Sequence, residues 1–334
     1  IKVIDKARLD AYVKNEELMV NATRNYLASN PSKVPINIGD ISVIELSELQ
    51  SNNVMNNIKD PKGNSNCTGK IIISKKNDNE YSYNPYLECG TNYKTYGDYI
   101  IDGLVLHLDG YDAPVSGYWM DKSGNNNNGQ IINMAGTNVS GYDQVKKAYV
   151  FDGINDYISI PRSTTIDNFM ESGTYSLSMI YETFVPVTAL KMVYNLKYTG
   201  GYPGYGLYGG FYGNSNIFFH IRCVAPEGSS CNVAPQMSQI TTEINKKYLI
   251  NLIVDYNSST NSSNIKFYVD NQKYYDNTIT NFKTVNSTLA MTFGGNISSY
   301  FLNGTISNIK LYNKALTAEE IENNNNIDKQ RYGL

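Results

Sequence analysis

Two carboxylates bracket a glycine turn in FDGINDYISIP, residues 151–161, where Asp152 and Asp156 precede an alternating apolar run that ends at Pro161. Acids in a short turn can accept hydrogen bonds from nearby backbone amides and fix the chain reversal. The same oxygens suit a hard cation such as calcium, which needs several oxygen ligands at once. The sequence leaves both readings open. Asp109, Asp152 and Asp156 are the candidate calcium ligands, with Asp112 and Asp121 nearby in type, provided the fold brings them together. No other cofactor is expected.

Catalysis is the weakest reading of these acids. A two-carboxylate mechanism needs both groups held at a fixed separation across a groove, and a turn does not set that geometry. His107 and His220 are the only histidines, and neither sits in a G-x-S-x-G elbow or an H-E-x-x-H helix. An enzyme is not expected.

Ligand-binding residues concentrate elsewhere. In YTGGYPGYGLYGGFYGNSNIFFHIRC, residues 198–223, tyrosines at 198, 202, 205, 208 and 212 are separated by glycines that let a ligand approach the backbone. The strand that follows alternates, so Ile217, Phe219 and Ile221 suit the core while Phe218, His220 and Arg222 share the outer face. An exposed arginine fork matches a carboxylate, as on sialic acid or another acidic sugar. Arg222 as a plain surface cation fits equally well. The candidate glycan-binding set is Tyr205, Tyr208, Tyr212, His220 and Arg222.

Composition narrows the partners. The 334 residues carry a formal net charge of −3 with 18% charged side chains, and no block of Lys and Arg forms the footprint that nucleic acid requires. Tyrosine is abundant, 29 against 10 phenylalanines, which suits half-wet binding surfaces and also fits a codon-biased secreted bacterial protein. Four cysteines fall as two local pairs without C-x-x-C spacing. They predict disulfides Cys67–Cys89 and Cys223–Cys231, about 2–3 kcal/mol each, and an oxidising, extracellular compartment. No run of 18 apolar residues spans a membrane.

The opening stretch predicts a helix ending before Pro31, with Ile4, Ala11, Leu18, Ala22 and Tyr26 at helical spacing. A linker with a short turn of helix follows, then strands in CTGKIIISKKN and EYSYNPYLECG joined at Asn77–Asn79. This order of long helix, LSEL segment, small antiparallel sheet and late disulfide resembles a type IV pilin over roughly residues 1–95. The resemblance implies an α+β pilin module without its apolar N-terminal helical half, the segment that would otherwise supply membrane contact and the filament core.

After a short linker at 96–101, residues 102–334 read as strands separated by Gly, Asn and Ser turns, which predicts an all-β jelly-roll sandwich. LVLHL at 104–108, YSLSMIY at 175–181, YLINLIVDY at 248–256 and GTISNIKLYN at 304–313 carry the pattern. Thr317 and Glu320 have capping-box spacing, so a helix starts there. GLVLHLDGYD, WMDKSGNNNNG, VFDGINDYISIP, KFYVDNQ and GTISNIKLYNKALTAEEI, in that order, resemble the laminin G-like, concanavalin A-like family. That family implies a glycan- or protein-binding module, often with calcium at its rim. Its laminarinase-type hydrolases use an E-x-D-x-E string that is missing here. In the family's W-x-D-x-S-G pattern, Trp119 is expected to pack inside.

Together the two resemblances imply a modular minor pilin like the adhesins of streptococcal and other Gram-positive type IV pili. A sandwich of about 17 Å radius of gyration, against about 13 Å for the small module, is too bulky to repeat along a tight filament. The expected place is therefore extracellular, at the pilus tip, with a lectin module bound to host surface glycans and a pilin module docked on other pilin subunits. A protein-binding adhesin is the alternative, and a glycan-cleaving enzyme a weaker one.

Overall fold

A computed structural model describes residues 2–38, 40–90, 92–95, 99–136, 140–169, 171–186, 190–196, 206–212, 216–224, 230–233, 236–283, 290–295 and 300–334. Of residues 2–6, 9, 76, 206, 212, 222–224, 230–233, 236–239 and 241 it describes the backbone alone. The chain divides into two compact units, residues 1–99 with 326–333, and residues 100–325.

The first unit is built on helix α1 (Lys2–Ser29) and a four-stranded antiparallel sheet in the order β1 (Ile41–Glu45), β2 (Thr68–Asn77), β3 (Glu80–Cys89), β4 (Tyr93–Lys94), with a short helix α2 (Leu46–Ser51) after β1. The buried stripe of α1 runs through Tyr12, Met19, Ala22 and Tyr26 onto Ile44, Ile71, Ile73 and Leu87 of the sheet. Leu18, expected on that stripe, is instead 47% exposed, because Met19 takes the inward position. The linker expected after Pro31 contains strand β1, whose Ile41 and Val43 face outward and hide the usual alternation.

Several tyrosines and acids are paired inside this unit. The Tyr12 hydroxyl donates to Asp60 at 2.5 Å, and its ring stacks on Tyr93 at 4.2 Å. The Tyr93 hydroxyl donates to Glu16 at 2.7 Å, and the Thr95 hydroxyl donates to the same oxygen. Burial pushes the Glu16 carboxyl above its usual range. Cys67 and Cys89 form a buried disulfide between the start of β2 and the end of β3.

The second unit is an antiparallel sandwich with seventeen strands among the described residues. Along the chain they are β5 (Leu104–Asp109), β6 (Tyr118–Trp119), β7 (Gly129–Ile132), β8 (Gly141–Asp143), β9 (Ala148–Asp152), β10 (Tyr157–Ile160), β11 (Tyr175–Thr183), β12 (Lys191–Leu196) and β13 (Gly206–Tyr212). Then come β14 (Asn216–Val224), β15 (Ser230–Val233), β16 (Gln236–Thr241), β17 (Tyr248–Asn257), β18 (Ser262–Val269), β19 (Gln272–Thr280), β20 (Met291–Phe293) and β21 (Asn303–Tyr312). One sheet runs β15-β14-β13-β12-β20-β10-β7-β6 with β16 beside β14; the other runs β19-β18-β17-β11-β21-β9-β8 with β5 beside β21.

Alternation along each strand sends one set of side chains into a single core between the sheets. Tyr175, Leu177, Met179 and Tyr181 of β11 meet Ile217, Phe219 and Ile221 of β14 in that core. Trp119 lies there too, its indole N–H donating to the Asp109 carbonyl at 2.9 Å and its ring stacked on Tyr149 at 4.1 Å.

After the short helix α3 (Thr164–Asn168) that follows β10, helix α4 (Ala318–Tyr332) begins at the expected capping box, with the Thr317 hydroxyl accepting from the Glu320 amide and Glu320 accepting from the Thr317 amide. Its first turns pack Ile321 with Leu316 onto Ile253 and Tyr312 of the eight-stranded sheet. Among the described residues no helix is long and apolar enough to cross a membrane.

Candidate functional site

The outer face of the nine-stranded sheet carries a row of polar side chains in direct register. His220 on β14 stands opposite Tyr208 on β13, Tyr208 opposite Asn195 on β12, and Asn195 opposite Thr292 on β20. Thr292 pairs with Ser159 on β10, Ser159 with Gln130 on β7, and Gln130 with Tyr118 on β6. Seven strands thus contribute one residue each, because the core-facing neighbours Leu207, Ile221, Leu196, Met291, Phe293, Ile158 and Ile160 fix which way each strand faces.

The row is exposed at its Gln130–Tyr118 end, half-buried at Tyr208 and Ser159, and buried at His220, Asn195 and Thr292. The Thr292 hydroxyl donates to the Gly295 carbonyl. His220 Nδ1 lies 2.5 Å from the Tyr208 hydroxyl, and the two rings sit 4.8 Å apart. Phe218 meets the Tyr208 ring edge-on at 5.7 Å. The tyrosine is therefore held as a partly exposed aromatic face with an oriented hydroxyl.

One glycine of this segment is required by close packing. A Cβ on Gly209 would lie 2.2 Å from the Tyr194 hydroxyl, so the core tyrosine and the flat approach of β13 exclude any side chain there.

Of the five residues predicted to bind glycan, Tyr208 and His220 stand side by side on this face. Tyr205 lies outside the described residues, as do the side chains of Tyr212 and Arg222. The β14 backbone places Arg222 opposite Gly206, two positions along the strand from His220. The Cys223 and Cys231 side chains also lie outside the described residues, although the backbone register sets the two residues directly opposite each other.

The acids of the first motif separate into two places. Asp152 and Asp156 share one turn: Asp156 Oδ2 accepts from the Asp152 amide at 2.9 Å, and Asp152 Oδ1 accepts from the Ile154 amide at 2.8 Å. Gly153 between them holds φ +82°, and Asn303 crowds the space where a Cβ would be. Asp156 is fully buried, and its Oδ1 has no hydrogen-bond partner among the described residues. Burial pushes its carboxyl above the usual range, and the neighbouring Asp152 charge adds to the push.

Asp109 is elsewhere. It pairs with Asn308 of β21 while Asp152 pairs with Asn303, five residues along the same strand edge. At 3.3 Å per residue that is about 17 Å of backbone, too far for one ion to bind both carboxylates. Asp109 Oδ1 instead accepts from the Tyr111 amide, and Lys122 reaches both Asp109 and Asp112, at 3.6 and 3.2 Å. Asp121 caps its own turn by accepting from the Ser123, Asn127 and His107 amides. Among the described residues no three His, Cys, Asp or Glu side chains come together as metal ligands.

Sequence reasoning singled out His220 from alternation in its strand and Tyr208 from the glycine-spaced tyrosine segment, and missed Tyr118, Gln130, Ser159, Asn195 and Thr292. Those five come from five strands, and only the sheet register aligns them.

The architecture is that of a two-sheet, lectin-like jelly-roll sandwich. Within that class the chain belongs to the concanavalin A-like lectin/glucanases superfamily, whose Laminin_G_3 model matches residues 152–322, about half of the sequence. No curated protein matches the chain in sequence. Among solved structures it is similar to domain 4 of AbnA, a GH43 extracellular arabinanase from Geobacillus stearothermophilus in complex with arabinotriose, at 20% identity and TM-score 0.47. That match covers 65% of this chain and 96% of the arabinanase domain. It is also similar to the receptor binding domain of botulinum neurotoxin C/D mosaic serotype (16% identity, TM-score 0.49, 69% of this chain and 52% of that one). A third likeness is to Trypanosoma rangeli sialidase in complex with sialic acid (14% identity, TM-score 0.48, 88% and 46%). The chain thus spans about half the length of the neurotoxin domain and of the sialidase.

Proposed function

We propose that the sandwich binds glycans on the outer face of its nine-stranded sheet. The observation that carries this reading is the registered row from His220 to Tyr118. It offers the half-exposed Tyr208 ring on one side, the exposed Tyr118 ring on the other, and the Ser159 hydroxyl and Gln130 amide between, the pairing that a sugar's apolar face and hydroxyls require. The row contains no carboxylate, which favours binding over two-carboxylate hydrolysis. Arg222, two positions from His220 on β14, extends the reading to sialylated or otherwise acidic host glycans.

We further propose that the whole chain is a minor pilin that presents this module at the tip of a type IV pilus. A long helix packed on a small antiparallel sheet, with a disulfide closing β2 to β3, supports a pilin-like first unit and an extracellular place. Other pilin subunits would be its filament partners.

The test is an array of host glycans probed with the full chain and with Tyr208→Phe and Tyr208→Ala, in calcium and in chelator. Selective binding that weakens in both variants supports the glycan reading. Binding to host cells that survives glycan removal would favour a protein receptor and overturn it.

A further inference from the structure

A recess in the sandwich shares no residue with the polar row. It has a volume of about 250 Å³ and sits where β16, the start of β17 and the β18–β19 hairpin meet. Ile240, Tyr248 and Val269 form a buried floor. Asp270, Gln272, Tyr274 and Lys246 stand at its rim.

The hairpin turn aims the rim. Asp270 and Asn271 both adopt positive φ, +51° and +72°, the two left-handed positions of a tight two-residue turn. Asp270 Oδ1 accepts from the Leu249 amide at 3.0 Å, which fixes the carboxylate of an exposed residue whose second oxygen can still accept. The Tyr274 hydroxyl donates to Gln272 Oε1 at 3.0 Å, which leaves the Gln272 amide nitrogen as a donor and holds the tyrosine ring partly exposed. Lys246 pairs with Glu243 at 3.1 Å and lies 5.0 Å over the Tyr248 ring, so its charge is already engaged.

These groups select a ligand class. A fixed carboxylate oxygen beside an amide donor can take one hydroxyl as donor and its neighbour as acceptor. An aromatic ring and an apolar floor suit the C–H face of the same ring-shaped molecule. Lys246 lies within the field of both Glu243 and Asp270, so two carboxylates share one cation at the rim and disfavour an acid. The volume is below the range of about 300–1,000 Å³ typical of drug-sized ligands and suits a single ring. We propose that this recess is a separate saccharide site that takes one neutral hexose unit through its vicinal hydroxyls.

The experiment titrates the full chain with the methyl glycosides of glucose, galactose and mannose, each up to about 50 mM, by ligand-observed NMR, a range that covers millimolar affinities. It compares wild type with Asp270→Asn and Gln272→Ala. Asparagine tolerates the left-handed backbone and still accepts from Leu249, and Gln272 is exposed, so both variants keep the fold; unchanged melting by the fluorescence of the one tryptophan verifies this. The expected result is saturable binding of at least one glycoside, weakened roughly ten-fold or more in both variants. No binding by wild type, or equal affinity in either variant, overturns the proposal.

Discussion

His220 Nδ1 and the Tyr208 hydroxyl face each other at 2.5 Å across a directly registered pair of β13 and β14. The pair does two jobs at once: it satisfies a buried imidazole nitrogen and it orients a hydroxyl on a half-exposed ring. Tyr208→Phe keeps the ring and removes the oriented hydroxyl. It should weaken glycan binding roughly five- to ten-fold, the worth of one hydrogen bond. Tyr208→Ala, which also removes the platform, should abolish detectable binding, and titration by calorimetry against an array-selected glycan distinguishes the two.

The Cys67–Cys89 bridge closes a sequence separation of 22 in the first unit. On the chain-entropy account a loop of this size stabilises by about 3 kcal/mol. Cys67→Ser with Cys89→Ser should lower the melting temperature of the first unit by many degrees, and reductant should do the same to wild type while leaving the double variant unmoved. Differential scanning calorimetry with and without reductant reads both.

Glu16 accepts from Tyr93 and Thr95 in a largely buried setting that already disfavours its charge. Tyr93→Phe removes one of those donors while keeping the ring stacked on Tyr12. The cost should be about 1–3 kcal/mol, the penalty for a buried acceptor that loses a partner. Chemical denaturation at constant pH measures it, and a Glu16→Gln background should shrink the effect because the neutral amide needs less solvation.

How much of this was legible in the sequence depends on the range over which each feature is encoded. Ile217, Phe219 and Ile221 announce their inward face by alternation within one strand, and all three are buried. Thr317 and Glu320 announce the start of α4 across three residues, and their reciprocal hydrogen bonds form as expected. Strand β1 was hidden because Ile41 and Val43 are apolar on the exposed side, so alternation fails as a signal. The polar row was hidden for a different reason. Gln130, Ser159, Asn195 and Thr292 span more than half of the sandwich sequence, and nothing local to any of them encodes who stands opposite. The distance between Asp109 and Asp152 is likewise set by their positions along β21, not by their own motifs.

That separation leaves Asp152 and Asp156 as the acids to test for calcium, and Asp156→Asn does so together with the pH dependence of stability. The Asp156 carboxyl is raised above its ordinary value of 3.8, first by burial and then by Asp152, so the native state holds its proton more tightly than the unfolded chain. Its contribution is therefore fully present below the unfolded value and is lost as pH rises through the folded one. Asparagine keeps an oxygen for the Asp152 amide and removes the buried charge. In chelator the variant should melt above wild type near neutral pH, with the gap closing toward about pH 4. Addition of millimolar calcium separates the two roles of the turn. If the acids only cap backbone amides, calcium moves neither protein. If they hold the ion, calcium raises the melting temperature of wild type by mass action and leaves the variant behind.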